Sequence, residues 1–364
     1  MKEQINLGTG DPDAEAPRNV VEAAVEALRE GGPWTHYSHI RKNPTQDNFL
    51  EAVVDYYKGL GPTYELEQVI PTAGSGAALS IAMATLLKRG DEILMFEPAF
   101  MGYFRALKEL GVKPVFAPLS EDRGFHPDTE TLGEYVTPKT KAILLCSPNN
   151  PTGTVLTPEE TQGIADVAIE HDLNVIADEI YLHYIYDDNV FTSISGLEGM
   201  KERTINVMSF SKTFSMTGWR LGYALVPERH LEKAKEKAGF INAMPATFVH
   251  AAGAVALREG WGYVDKLREE YLNRRNYFCD AADGIKGLSC QRAEGGFYAW
   301  VKIAGTGLDS QEFVERLAEK EKLTLTPGHV FGGKRDDYVR VALVRPVPVL
   351  EKAVERLRRF VESL

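Results

Sequence analysis

Cysteine is scarce in this chain. Cys146, Cys279 and Cys290 are the three in 364 residues, an odd number at wide spacing that argues against a disulfide framework and against a zinc site. No apolar stretch follows the lysine of the opening Met1-Lys2-Glu3-Gln4-Ile5-Asn6, so no secretory leader is expected. Long hydrophobic runs are missing too. The longest apolar-rich segment, Ala77 to Leu87, is broken by Ser80 and Thr85 and falls far short of the ~20 residues a membrane helix needs. Positive charge is in deficit: 41 Lys+Arg against 52 Asp+Glu give a formal net charge of −11. Such a field repels phosphate backbones and anionic membranes, so nucleic-acid and membrane partners are not expected, although a local basic pocket for a small anion is compatible with it. There are no repeats and no low-complexity tracts. These absences point to a reduced, cytoplasmic, soluble protein.

What is present is ordinary globular material, 44% hydrophobic and 26% charged. The length suits one large α/β unit with a smaller companion. Apolar runs that read as buried strands include 92–96, 142–146, 174–177 and 205–208, and segments of helical period lie between them. Thr157-Pro158-Glu159-Glu160 is a capping box with proline in the first helical turn, predicting a helix to about His171. Asp309-Ser310-Gln311-Glu312 predicts another helix start. Strands separated by helices imply a mostly parallel sheet covered on both faces, with ligands at the carboxyl ends of its strands. Beyond residue 250 the pattern changes. A long helix from about Trp261 to Asp283, strands near 297–303, 323–326 and 338–344, and a helix from about Val347 predict a smaller α+β lobe. We expect a large domain at 36–250 and a small one made of 1–35 and 251–364.

Four loops that follow predicted strands carry chemistry-bearing residues. Thr72-Ala73-Gly74-Ser75-Gly76 opens a helix, where small residues let backbone N–H groups close on a phosphate; a plain strand-to-helix turn is the alternative. Ser147-Pro148-Asn149-Asn150-Pro151-Thr152-Gly153 could equally be a proline-rich turn. Asp178-Glu179-Ile180-Tyr181 places an aspartate at the end of a buried strand, costly unless it meets a cation or donors. Ser209 to Gly222 contains Lys212 among hydroxyls and small residues with Arg220 behind it, a setting that suits a Schiff-base lysine near a phosphate. Alone, each has a structural reading as a cap, turn or surface residue. In a parallel sheet all four converge on one edge.

Together with Gly10-Asp11-Pro12-Asp13, Glu294-Gly295-Gly296-Phe297-Tyr298 and Pro327-Gly328-His329-Val330-Phe331-Gly332 leading to Arg340, these segments give the chain a clear resemblance. It resembles the class I/II aminotransferases, pyridoxal-phosphate enzymes of fold type I, along almost its whole length. The resemblance implies an aspartate aminotransferase-like fold: a large domain with a mostly parallel seven-stranded sheet plus a smaller α+β domain. It implies pyridoxal 5'-phosphate as cofactor, an L-amino acid and a 2-oxo acid as substrates, ping-pong transfer, and a homodimer with shared active sites. Lys212 would hold the cofactor aldehyde as a Schiff base and, once freed, move the substrate proton. Asp178 would keep the pyridine nitrogen protonated. Tyr181 and Asn150 would bond the phenolic oxygen, Phe100 would stack on the ring, and Gly74, Ser75, Ser209 and Arg220 would hold the phosphate. Tyr37 would reach the phosphate in the neighbouring subunit. Arg340, with Asn150 and the Gly10 backbone, would clamp the substrate α-carboxylate. No metal is implied.

The chain departs from the family pattern in two places. The glycine and Leu-Arg pair that usually follow the tyrosine at 37 are replaced by Ser38-His39-Ile40-Arg41-Lys42-Asn43, on the substrate side in relatives. Arg41 or Lys42 is a candidate reader of a distal carboxylate, a solvated surface pair being the alternative. Ala73 stands where some relatives place a hydroxyl, a loss of about 1 kcal/mol net. The same fold and cofactor also serve β-elimination, C–S lyase and cyclase reactions. A DNA-binding regulator built on this fold is disfavoured by the acidic charge and by the lack of a helix-turn-helix segment before residue 10. Gly328 to Lys334 has the spacing of a nucleotide P-loop, but Arg335 and Asp336-Asp337 spoil it.

Overall fold

The computed structural model describes residues 3–36, 44–241, 244–333 and 335–364, with the side chains of 44 and 45 left aside. The chain begins with β1 (Ile5–Asn6), α1 (Arg18–Glu30) and α2 (Pro44–Lys58). There follow β2 (Val69–Thr72), α3 (Ser75–Leu86), β3 (Glu92–Glu97), α4 (Met101–Leu110), β4 (Lys113–Pro118), β5 (Thr140–Cys146), α5 (Pro158–Glu170), β6 (Asn174–Asp178), β7 (Thr204–Ser209), α6 (Phe210–Thr213) and β8 (Gly222–Leu225). Then come α7 (Glu228–Ile241), α8 (Val249–Glu259), α9 (Trp261–Asp283), β9 (Ser289–Cys290), β10 (Tyr298–Lys302), α10 (Ser310–Glu321), β11 (Leu323–Thr324), β12 (Thr326–Pro327), β13 (Tyr338–Ala342) and α11 (Val347–Glu362).

Seven strands form one sheet in the order β2-β8-β7-β6-β5-β3-β4, and β8 alone runs against the rest. The strands read as continuous apolar runs because helices cover both faces. Ile93, Met95, Leu144 and Ile176 pack into one layer; Leu94, Ile143, Leu145 and Val175 pack into the other. The predicted capping box is made: Thr157 Oγ1 accepts from the Glu160 N–H and Glu160 Oε2 accepts from the Thr157 N–H at 2.9 Å, starting α5. Asp309 caps α10 through the Glu312 N–H at 2.8 Å.

A second, four-stranded antiparallel sheet, β12-β13-β10-β9, is packed by α9, α10 and α11 around Phe278, Phe313, Leu317, Val341, Leu350 and Phe360. The first thirty residues divide between the two cores. Ile5 and Leu7 belong to the smaller one, with β1 paired to β11 in parallel. Val20 and Ala24 of α1 instead pack with Phe49, Phe210, Tyr223 and Ala252 against the large sheet. The apolar stripe of α1 finds its cover on α8, and α8 runs straight through the expected boundary at 250.

Because β2, β3, β5, β6 and β7 are co-directional, their carboxyl ends open on one edge. The reversed β8 starts at that edge, which carries Arg220 to the place reached by the other loops.

Candidate active site

A cavity of about 400 Å³ lies at that edge. Among the residues singled out from sequence, Gly10, Ser75, Phe100, Asn150, Asp178, Tyr181, Lys212, Arg220 and Arg340 line it. Gly74 and Ser209 border it without lining it, and Tyr37, Arg41 and Lys42 lie outside the described residues. The Ser209 hydroxyl is turned to main chain instead: it caps the short α6 turn by accepting the Ser211 N–H at 3.1 Å. Ser211 and Thr217 face the cavity in its place.

Lys212 sits in that one-turn helix just past β7. Its Nζ donates to the carbonyl of Gly10 at 2.5 Å. Burial pulls its pKa down to about 8; Asp11 opposes the shift, while Arg340 and Arg220 add to it. Asp178 ends β6 and is 2% exposed. Tyr103 Oη donates to its Oδ2 at 2.6 Å, and its buried Oδ1 has no partner. Burial raises its pKa to about 6 against the pull of Tyr103 and the Ile180 N–H. A buried carboxyl with one oxygen satisfied and one orphaned, at the rim of a cavity, is a built receptor for a donor or a cation.

Arg340 lies on β13 of the small sheet, 4% exposed. Its Nη1 donates to Asn150 Oδ1 at 2.9 Å and its Nη2 to the Gly8 carbonyl at 2.7 Å, while its Nε is buried without a partner. The guanidinium lies 4.3 Å from the Tyr298 ring centroid and 4.9 Å from that of Phe331. Tyr298 also meets Tyr181, the two hydroxyls 3.2 Å apart. Gly10 is small of necessity, since a Cβ there would fall 2.0 Å from Tyr298 Oη.

Arg220, at φ +56°, anchors to the Thr217 carbonyl at 2.8 Å and the Ala73 carbonyl at 3.1 Å. Gly74, at φ +84°, lets that happen: a Cβ on it would stand 2.5 Å from Arg220 Nη2. With the amino terminus of the twelve-residue α3 at Ser75, these groups make an anion cradle. Phe100 caps α4 at the rim, its ring 5.4 Å from that of Tyr103, edge to face.

This cavity therefore combines an anion cradle, a depressed-pKa lysine, an orphaned buried carboxylate and an arginine with a free N–H. Over residues 2–357 the sequence matches the family described as aminotransferase class I and II. The chain belongs to that family. It is similar to an aspartate aminotransferase of Pyrococcus horikoshii, 38% identical over all of this chain and 92% of the relative. It is equally similar to an aromatic-amino-acid aminotransferase of Thermococcus litoralis, 38% identical over 99% of this chain and 92% of the relative. A crystal structure of an aromatic aminotransferase from Pyrococcus horikoshii superposes with a TM-score of 0.93 at 36% identity, covering 99% of this chain and 96% of that one. This aminotransferase thus has the expected fold, a large mostly parallel seven-stranded sheet beside a small antiparallel one.

Sequence reasoning gave no role to Tyr103, although its hydroxyl fixes one oxygen of Asp178. Its signal was faint: an aromatic three residues after Phe100, on the same helix start. Tyr184 was also passed over. Its hydroxyl reaches the carbonyls of Lys212 at 2.8 Å and Thr213 at 3.2 Å, tying down the end of the α6 turn. Among the described residues, no group of three His, Cys, Asp or Glu could hold a metal ion, and no helix is long and apolar enough to cross a membrane.

Proposed function

We propose that this aminotransferase moves an amino group from an L-amino acid to a 2-oxo acid with pyridoxal 5'-phosphate in the cavity, in two half-reactions. The observation that carries the reading is the orphaned Oδ1 of Asp178, opening with Lys212 onto one cavity. The residues fit the group. Its phosphate matches the cradle of Gly74, Ser75 and Arg220, with Ser211 and Thr217 exposing hydroxyls where the Ser209 hydroxyl turns to main chain. Asp178 would face its ring nitrogen, Tyr181 and Asn150 its phenolic oxygen, and Phe100 its ring. Lys212 would hold it covalently through Nζ. Bound there, it supplies an electron sink that stabilises negative charge at the substrate α-carbon.

The chain's own residues do the rest. Arg340 exchanges its bond to the Gly8 carbonyl for a substrate carboxylate, with its Nε ready as a second donor. Lys212, held near pH 8 by burial, can be uncharged at Nζ and take the α-proton there. A cation beside Asp178 reverses the effect of burial and keeps that carboxylate ionised. Phe331 and Tyr298 cover the guanidinium and exclude water from the carboxylate site.

We also propose a cytoplasmic homodimer in which Tyr37 reaches the partner's site. The exposed apolar side chains of Phe240, 89% exposed, and Met244, 41% exposed, support an apolar contact between copies. The test of the function uses protein loaded with pyridoxal phosphate, mixed with single amino acids and no oxo acid. The panel includes aspartate and an aromatic amino acid, the substrates in the relatives' names. One equivalent of pyridoxamine form per site is expected. Sustained release of ammonia and pyruvate would instead indicate elimination, and a Lys212→Ala variant that still turned over would overturn the assignment.

A further inference from the structure

Two motifs that sequence treated separately, the capping box of α5 and the Glu294-Gly295-Gly296 loop before β10, are joined by one histidine. His126 Nδ1 lies 2.9 Å from Glu160 Oε2 and its Nε2 lies 3.1 Å from Glu294 Oε1. A carboxylate only accepts, so both ring nitrogens act as donors and the ring is an imidazolium. The side chains of the trio are 15–24% exposed. On its own segment the nearby charges, Arg123 and Asp128, pair with each other at 3.9 Å. Hydrogen bonding to Glu160 and then Glu294 pushes the His126 pKa up to about 10, so the bridge stays charged through the working range of pH.

What the bridge grips leads directly to the carboxylate site. The second oxygen of Glu294 accepts the Val155 N–H at 2.8 Å. The N–H groups of Glu294 and Gly295 both donate to the Gly153 carbonyl, at 3.1 and 2.8 Å. Gly153 in turn closes the tight 149–154 loop by donating to the Asn149 carbonyl at 2.9 Å. Packing there leaves no slack, since a Cβ on Gly153 would lie 2.4 Å from that of Ala293. Asn150 protrudes from this loop onto Arg340, and the Glu294 loop runs on into Tyr298, against the same guanidinium.

We propose that His126 is a positioning residue for the substrate carboxylate: by bridging Glu160 and Glu294 it fastens the Glu294 loop to the start of α5, holds Glu294 against Val155 and Gly153, and so sets the register of Asn150 and Tyr298 on Arg340. The inference rests on reading Arg340 and Asn150 as the carboxylate-binding pair. Removing the imidazolium leaves two carboxylates facing each other across the gap and drives the Glu294 loop away from the start of α5, and with it from Val155 and Gly153.

The test is steady-state kinetics of the holoenzyme. His126→Ala should raise KM for both the amino acid and the oxo acid about 5–10-fold, with kcat within about 3-fold of wild type. Adding Glu294→Gln should bring KM back to within about 2-fold. The amide oxygen still serves the Val155 N–H, and the repulsion is gone. A merely structural role would lower Tm and the active fraction, leave KM unmoved and give no rescue. A folded His126→Ala enzyme with wild-type KM, or a double variant no better than the single, overturns the inference. Arg340→Lys separates the two levels. If it raises KM while His126→Ala does not, the inference alone fails; if it leaves KM unchanged, the reading of the carboxylate pair fails with it.

Discussion

Replacing Asp178 by Asn should make the cofactor-free protein more stable at pH 8 while crippling the enzyme. Burial raises the Asp178 pKa from 3.8 to about 6. Its folded-state value lies above the unfolded one, so between these pH values the folded chain binds more protons than the unfolded chain. Stability therefore falls as pH rises through that window, and the full cost is present above about pH 6. At 1.36 kcal/mol per pH unit the cost is about 3 kcal/mol. An Asn escapes it but leaves an unmet N–H of its own, worth about 1 kcal/mol, so the net gain is about 2 kcal/mol. For 364 residues the entropy of unfolding is about 0.8 kcal/mol/K, and Tm should rise by roughly 3 °C. Below pH 4 the advantage should vanish or reverse. The assay is thermal unfolding of both cofactor-free proteins at pH 4 and pH 8. With pyridoxal phosphate the order should invert at pH 8, because the ionised carboxylate then has a cation to face, and turnover of the variant should drop by at least about 100-fold. A Tm difference that is the same at both pH values, or an Asn variant less stable at pH 8, would refute the argument that Asp178 is strained by burial.

Two further outcomes follow from the site. Capture of pyridoxal phosphate by the cofactor-free protein should accelerate about tenfold per pH unit up to about 8 and then flatten, since burial holds the Lys212 amine there; flattening only near 10.5 would contradict this. Gly74→Ala, which forces a side chain onto φ +84° and to within 2.5 Å of Arg220, should weaken pyridoxal phosphate binding by at least about 10-fold. Gly262→Ala, whose Cβ meets nothing within 4 Å, should leave it unchanged. Equal dissociation constants for the two variants would remove Gly74 from the cradle.

Much of this architecture was legible because its signals are local. The capping box at Thr157, the proline after it and the continuous apolar runs each dictate a backbone state within a few residues, and those elements stand where expected. Lys212, Asp178 and Asn150 were legible because each lies at or just past a strand end, and a parallel sheet brings such ends together. The partition of residues 1–35 was harder to read. A short strand and an amphipathic helix say that they need cover but not whose, and here they go to different cores. The His126 bridge was illegible for the same reason: its carboxylates are 34 and 168 residues away. Ser209 shows a third limit. A hydroxyl beside an anion site can serve the backbone instead, and sequence does not say which partner it takes.

Two of the cavity's three cations rest on peptide oxygens of the amino-terminal segment, Lys212 on that of Gly10 and Arg340 on that of Gly8. No point substitution can delete a peptide oxygen. Sequence drift in this segment can therefore shift these resting contacts only by rerouting the chain, and the crowding of Gly10 against Tyr298 opposes that. Incoming ligands trade places with oxygens already in position, so these two positive charges are solvated by protein rather than bare.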